Sequence, residues 1–202
     1  MSRIAPAMLA LFASVFALPL AQPAQPAAAA ARAQCTNWTS TSDPPPDIAV
    51  YRVSEGKVER VDFRHYVMRV ASREWGVKQL ELRRAGVHAV KQYAWYHVLR
   101  WRGGTYSGKC YDVKDTTADQ LYANRPLDEI SQAVKEAVSY TWTWRLFRDG
   151  KLIMTGYRRG DDVPCASNGG YRLYVRSARK CAAKGWSAGR ILRTYYTASL
   201  VN

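Results

Sequence analysis

The segment 80–101, LELRRAGVHAVKQYAWYHVLRW, constrains the fold most. Wound at 3.6 residues per turn, it sets Ala85, Ala89 and Tyr93 along one face and Val87, Val90, Ala94 and Val98 along the adjacent one. So wide an apolar arc predicts a helix over 80–101 that is buried on most sides, closed by Gly103–Gly104. The small residues Ala85, Gly86 and Ala89 leave room for a second backbone to approach closely. A helix enclosed in this way has to be central. A chain of 202 residues, 48% of them hydrophobic, is long enough to surround it with the rest of one domain.

The neighbour expected against it is a helix over 63–75, closed by Gly76. Here Val67, Val70, Ala71 and Glu74 fall at i, i+3, i+4 and i+7, so the inward stripe ends in a carboxyl group. Two readings stay open at this point. Glu74 is either a structural acid paired with Lys91 or an arginine, or an acid whose desolvation raises its pKa so that it holds a proton near neutral pH.

The remaining elements are shorter. IAVYRV and VERV flank SEGK as a hairpin, and Ile130, Val134, Ala137 and Val138 mark a short helix. SYTWTWRLF and KLIMTGY read as two strands around the turn Asp149–Gly150. YVRSARKCAAKG and WSAGRILRTYY read as two helices, the first capped by Gly185 and the second opened by Ser187. The expected fold class is α+β: one domain, two central helices packed with antiparallel β-hairpins, and disulfide staples.

The N-terminal part reads differently. Arg3, the apolar run from Ala7 to Leu20 and Ala31–Ala33 have the order of a secretory signal, so 1–33 is expected to be removed after Ala33. An uncleaved anchor is the alternative. Residues 34–47, ending in a triple proline, form an irregular arm, and 48–202 the folded domain.

Export gives the cysteines a meaning. Cys35, Cys110, Cys165 and Cys181 are expected to form two disulfides. Three connectivities are open, and Cys165–Cys181 with Cys35–Cys110 is the one favoured. No two cysteines have metal-ligand spacing, and His65, His88 and His97 are scattered, so neither a metal nor another cofactor is expected.

Thirty Lys+Arg against sixteen Asp+Glu give a formal charge of +14. Inside a cell that would suggest nucleic acid; outside it, the available polyanions are wall polymers, anionic lipid and acidic glycans. No nucleic acid partner is therefore expected. Seven Trp and thirteen Tyr favour sugar, whose apolar faces stack on flat rings.

The segments DFRHYVMRVASREW, LRRAGVHAVKQYAWY, YDVKDTTADQLY and KGWSAGRILRTYY resemble, in order and spacing, the stage II sporulation protein D family, also called LytB-type amidase enhancers. The corresponding family motifs are Y-V-x-x-V-x-x-E, A-x-A-V-A-A-R-T-Y-A, D-T-T-x-x-Q-x-Y and G-Y-S-Y-E-x-I-L-x-Y-Y, and the resemblance spans about Ile48 to Tyr196. It implies a lytic transglycosylase acting on peptidoglycan glycan strands at the cell wall, with Glu74 as its one general acid and base. The other implication is a non-catalytic wall-binding partner of an amidase.

The resemblance also offers Lys91, Gln92, Tyr93, Asp115, Thr116 and Gln120 as substrate-binding residues. Lys91 stands where the family has arginine. Asp115, Thr116 and Gln120 are equally readable as a loop held by its own side chains. Tyr93 and Trp95 are offered as stacking platforms, although Tyr93, on the small-residue face, is better read as core. Asp112, Asp115 and Asp119 are the candidates for a second carboxylate. Ala118 and Asp119 replace the His-Cys pair that the family associates with zinc. In NGGYRLYVRSA, Gly169, Tyr174 and Val175 stand in place of His, Ser and Gln.

Overall fold

The alternation read at 48–62 becomes a hairpin in the computed structural model, which describes residues 36–161, 163–166 and 169–202. Strand β1 (Asp47–Arg52) pairs antiparallel with β2 (Lys57–Asp62), with Ile48 opposite Val61 and Val50 opposite Glu59. A short strand from the Asp-rich loop, β5 (Val113–Lys114), adds to the other edge of β1 in parallel. Between them, β3 (Thr105–Tyr106) and β4 (Lys109–Cys110) make a separate two-stranded ribbon. The expected export signal at 1–33, like Cys35, lies outside the described residues.

Helix α1 (Phe63–Glu74) starts directly from β2, capped by Asp62, whose carboxylate accepts the His65 N–H at 2.8 Å. Helix α2 (Leu80–Leu99) is the central element: Leu82, Ala85, Val87, Ala89, Val90, Ala94 and Trp95 are all fully buried. It packs against every other described helix, namely α1, α3 (Gln132–Tyr140), α4 (Val175–Ala183) and α5 (Ala188–Tyr196). It ends at Leu99, two residues short of the expected 101, with Arg100 rather than the glycines as its C-cap. Ser187 caps α5 as expected, accepting the Arg190 N–H. The fold is thus mixed α+β, with five described helices and several small sheets.

The small residues of α2 have a definite occupant. A Cβ added at Gly86 would lie 1.9 Å from Cδ2 of Trp75, so the indole that follows Glu74 rests directly on the backbone of α2. Gly86→Ala therefore sets about 1–3 kcal/mol of overpacking against about 1 kcal/mol gained from helix propensity. The expected outcome is net destabilisation together with a displaced Trp75. A thermal melt at or above that of the wild type would contradict this.

One strand assignment is corrected. The run 139–147 was expected to be extended, but 141–143 is turn and β6 spans only Arg145–Arg148. It pairs with β7 (Lys151–Leu152) across Asp149–Gly150, both at positive φ, and on its other side with β10 (Ser199–Val201). The carbonyls of 141, 142 and 144 face a buried lysine instead of a neighbouring strand, which is why the ladder stops there.

After Leu152 the chain leaves that sheet. Strand β8 (Gly156–Arg158) pairs in parallel with β9 (Arg172–Tyr174), and β9 runs straight into α4. Cys165 is bonded to Cys181 on α4, as favoured from sequence. Cys110 is also in a disulfide.

Candidate functional site

Glu74 is the last residue of α1, at the point where the chain turns so that Trp75 can reach the Gly86 notch. Its carboxyl is half-buried and opens onto a cleft of about 620 Å³. Trp75, Val77, Thr117, Asp119, Leu121, Tyr157 and Val175 line the cleft, with Arg73, Arg158, Arg159 and Arg179 at its edges.

Both carboxyl oxygens meet uncharged donors. The Leu121 N–H donates to Oε1 at 2.7 Å, and the Tyr157 hydroxyl donates to Oε2. Glu74 forms no ion pair among the described residues. Burial pushes its pKa above the ordinary carboxylate range, while Tyr157, Leu121 and the charge of Arg73 pull it down less strongly. Such a group can hold a proton in the resting state and is still stabilised once the proton has left.

The direction of the Tyr157 hydrogen bond is set from behind. Gln120 is fully buried; its Oε1 accepts the Tyr66 hydroxyl at 2.9 Å, and its Nε2 donates to Val90 O at 3.2 Å and to the Tyr157 oxygen at 3.1 Å. With the Tyr157 oxygen already accepting from an amide, its own proton is left for Glu74. Donors run one way along the chain Tyr66, Gln120, Tyr157, Glu74.

Tyr157→Phe removes the stronger of the two hydrogen bonds that favour the carboxylate, so the Glu74 pKa rises further. The expected outcome is an upward move in the Glu74 titration measured by carboxyl carbon NMR. An unchanged or lowered midpoint would contradict the assignment.

The other sequence-derived residues are placed as follows. Lys91 is 1% exposed and away from the cleft. Its ammonium donates to Thr141 O at 2.7 Å and to Trp142 O and Trp144 O at 2.6 Å each, so it caps the C-terminal end of α3. Its expected roles, steadying Glu74 or meeting a substrate, are corrected: an ammonium spent on three backbone carbonyls has no donor left. Gln92 is likewise buried, bridging Leu146 and Ile153. Trp95, expected as a stacking platform, is corrected: it is fully buried in the core, so its ring cannot meet a sugar.

Tyr93 donates to Asp119 at 2.9 Å. Asp115 accepts from Arg52 Nε at 3.1 Å and from the Val53 N–H at 3.0 Å, which leaves it structural. Thr116 turns the loop through Asp119 N–H to Thr116 O at 3.0 Å. Gln120 reaches the cleft only through Tyr157.

The three candidates for a second carboxylate are all engaged. Asp112 holds the N-terminal arm through Thr36 and the Ala49 N–H, Asp115 holds Arg52, and Asp119 takes Arg102 at 2.7 Å, Tyr93 and the Lys114 N–H. Asp119 lines the cleft, but with its oxygens already satisfied it does not compete with Glu74 for the proton role. No three His, Cys, Asp or Glu among the described residues could hold a metal ion.

Sequence reading missed Tyr157, the Leu121 N–H and the four arginines. The only local signal for Tyr157 was its place in a β-rich run. No known family model matches the chain, and no curated protein matches it.

Proposed function

We propose that the protein is an exported enzyme that cuts peptidoglycan glycan strands as a lytic transglycosylase, with Glu74 as its single acid and base. The observation that carries this reading is a carboxyl group raised in pKa by burial, held by two neutral donors and open to a cleft whose other carboxylate is tied up. A hydrolase of the common kind needs a second free carboxylate to activate water or form a covalent intermediate. A transglycosylase does not.

In the first step Glu74 gives its proton to the oxygen linking N-acetylmuramic acid to N-acetylglucosamine, and that C–O bond breaks. The substrate's own acetamido oxygen shares the positive charge left at the anomeric carbon. The Tyr157 O–H and Leu121 N–H stabilise the carboxylate that forms. In the second step the muramic 6-hydroxyl attacks the same carbon and returns its proton to Glu74. The products are a 1,6-anhydro muramic end and an N-acetylglucosamine non-reducing end whose freed 4-hydroxyl carries the proton from Glu74, with no water consumed.

Mass spectrometry of strands digested by the mature protein tests this. The expected product carries a muramic end lighter by one water. Ends of hydrated mass would mean hydrolysis. No product at all, with wall binding intact, would favour the second reading, a non-catalytic enhancer of a wall amidase. One observation favours that alternative: Val175 lines the cleft at the place where the resembled family has glutamine.

A further inference from the structure

Three separate segments bring arginines to the edge of the Glu74 cleft. Arg73 comes from the last turn of α1, Arg158 and Arg159 from the end of β8, and Arg179 from α4. All four are exposed, and none has an ion pair or side-chain hydrogen bond among the described residues.

Nearby cations behave otherwise. Arg176 and Lys180 share Asp161, and Arg102 takes Asp119. Among the described residues, the carboxylates near the cleft other than Glu74 are thus committed elsewhere, and like charges are left facing one opening. Their mutual repulsion is unfavourable in the empty protein and is relieved when an anion binds between them. Between them, Val77, Leu121 and Val175 offer an apolar floor. An apolar floor with a guanidinium rim matches a sugar ring lying flat with carboxylate substituents reaching outward, where each guanidinium can engage a carboxylate through two parallel N–H bonds.

We infer that the cleft selects an acidic glycan, and that Arg73, Arg158, Arg159 and Arg179 recognise carboxylates carried on the sugars beside the bond that faces Glu74. This deepens the reading above by naming what the substrate must carry. The carboxylates could belong to lactyl ethers on the sugar or to attached peptides.

Binding of soluble muramic-type strands is measured with the Glu74→Gln protein, so that nothing is cut. One preparation keeps its peptides, one has them removed, and each is also supplied with its carboxylates converted to methylamides. Methylamidation is expected to weaken binding by at least tenfold, and Arg158→Gln/Arg159→Gln to weaken binding of the charged strands by a similar factor. Amidated strands should bind the double variant no more weakly than they bind the parent, because the same contacts are removed from either side. The preparation that loses more on amidation identifies the source of the carboxylates.

Equal affinity for charged and amidated strands would overturn the inference. So would equally tight binding of duplex DNA, which would mark a surface for any polyanion. Circular dichroism of the double variant checks that its fold is retained. Charge-selective binding without cleavage by the wild type would leave this inference standing and remove the catalytic reading; cleavage without charge selectivity would do the reverse.

Discussion

Glu74→Gln is expected to lower the formation of anhydro-ended products by at least about 10³-fold, because one group performs proton transfer in both steps. The amide occupies the same volume and can still accept the Leu121 N–H, so wall binding should persist. In the wild type, the first step needs the protonated carboxyl, so the rate should fall as pH rises through the raised Glu74 pKa.

The same shift has a consequence for stability that requires no substrate. Folding raises this pKa, so the folded protein keeps a proton at pH values where the unfolded chain has released it. The contribution is therefore full below the ordinary carboxylate pKa and is lost as pH rises through the folded value. Glutamine should flatten that decline in a series of chemical denaturations. Products that survive in the variant would end the catalytic role, and an unchanged slope would end the claim of a desolvated carboxyl.

Lys91→Met is expected to give the largest loss of stability. Burial drives the Lys91 pKa well down, so methionine does remove a desolvated charge. Against that gain stand the carbonyls of Trp142 and Trp144, which lose the lysine donor, and that of Thr141, which keeps only the Trp144 N–H at 3.2 Å. At about 1–3 kcal/mol per unsatisfied buried group, the loss prevails. A net cost of about 3 kcal/mol corresponds to a fall in melting temperature of roughly 6–12 °C. Residues 141–144 should also show faster amide exchange. A melt within a degree or two of the wild type would show that solvent reaches those carbonyls.

The helices were legible because each carries its own pattern. The apolar arc of 80–101 predicted a central helix, Ser187 and Gly185 marked helix ends, and Asp149–Gly150 marked a turn. Each signal lies within a few residues of the chain and rests on side-chain periodicity or backbone freedom. The half-buried setting of Glu74 belonged to the same class, since helical phase alone put it on the inward stripe. The Cys165–Cys181 bond, 16 residues apart, was favoured as a local loop.

What completes the site is not local. Tyr157 lies 83 residues from Glu74, Leu121 lies 47 away, and the carbonyls that claim Lys91 lie 50 to 53 beyond it. A tyrosine in a β-rich run has the same pattern whether or not its hydroxyl meets a carboxylate. A lysine on a helix likewise looks the same whether it faces solvent or caps a neighbour. The chain by itself determined which segments are helical and which acid points inward, because those follow from the geometry of one element. Only tertiary packing decided what surrounds that acid, since the parallel pairing of β8 with β9 and the seating of Trp75 on Gly86 bring distant residues together through contacts that no short stretch encodes.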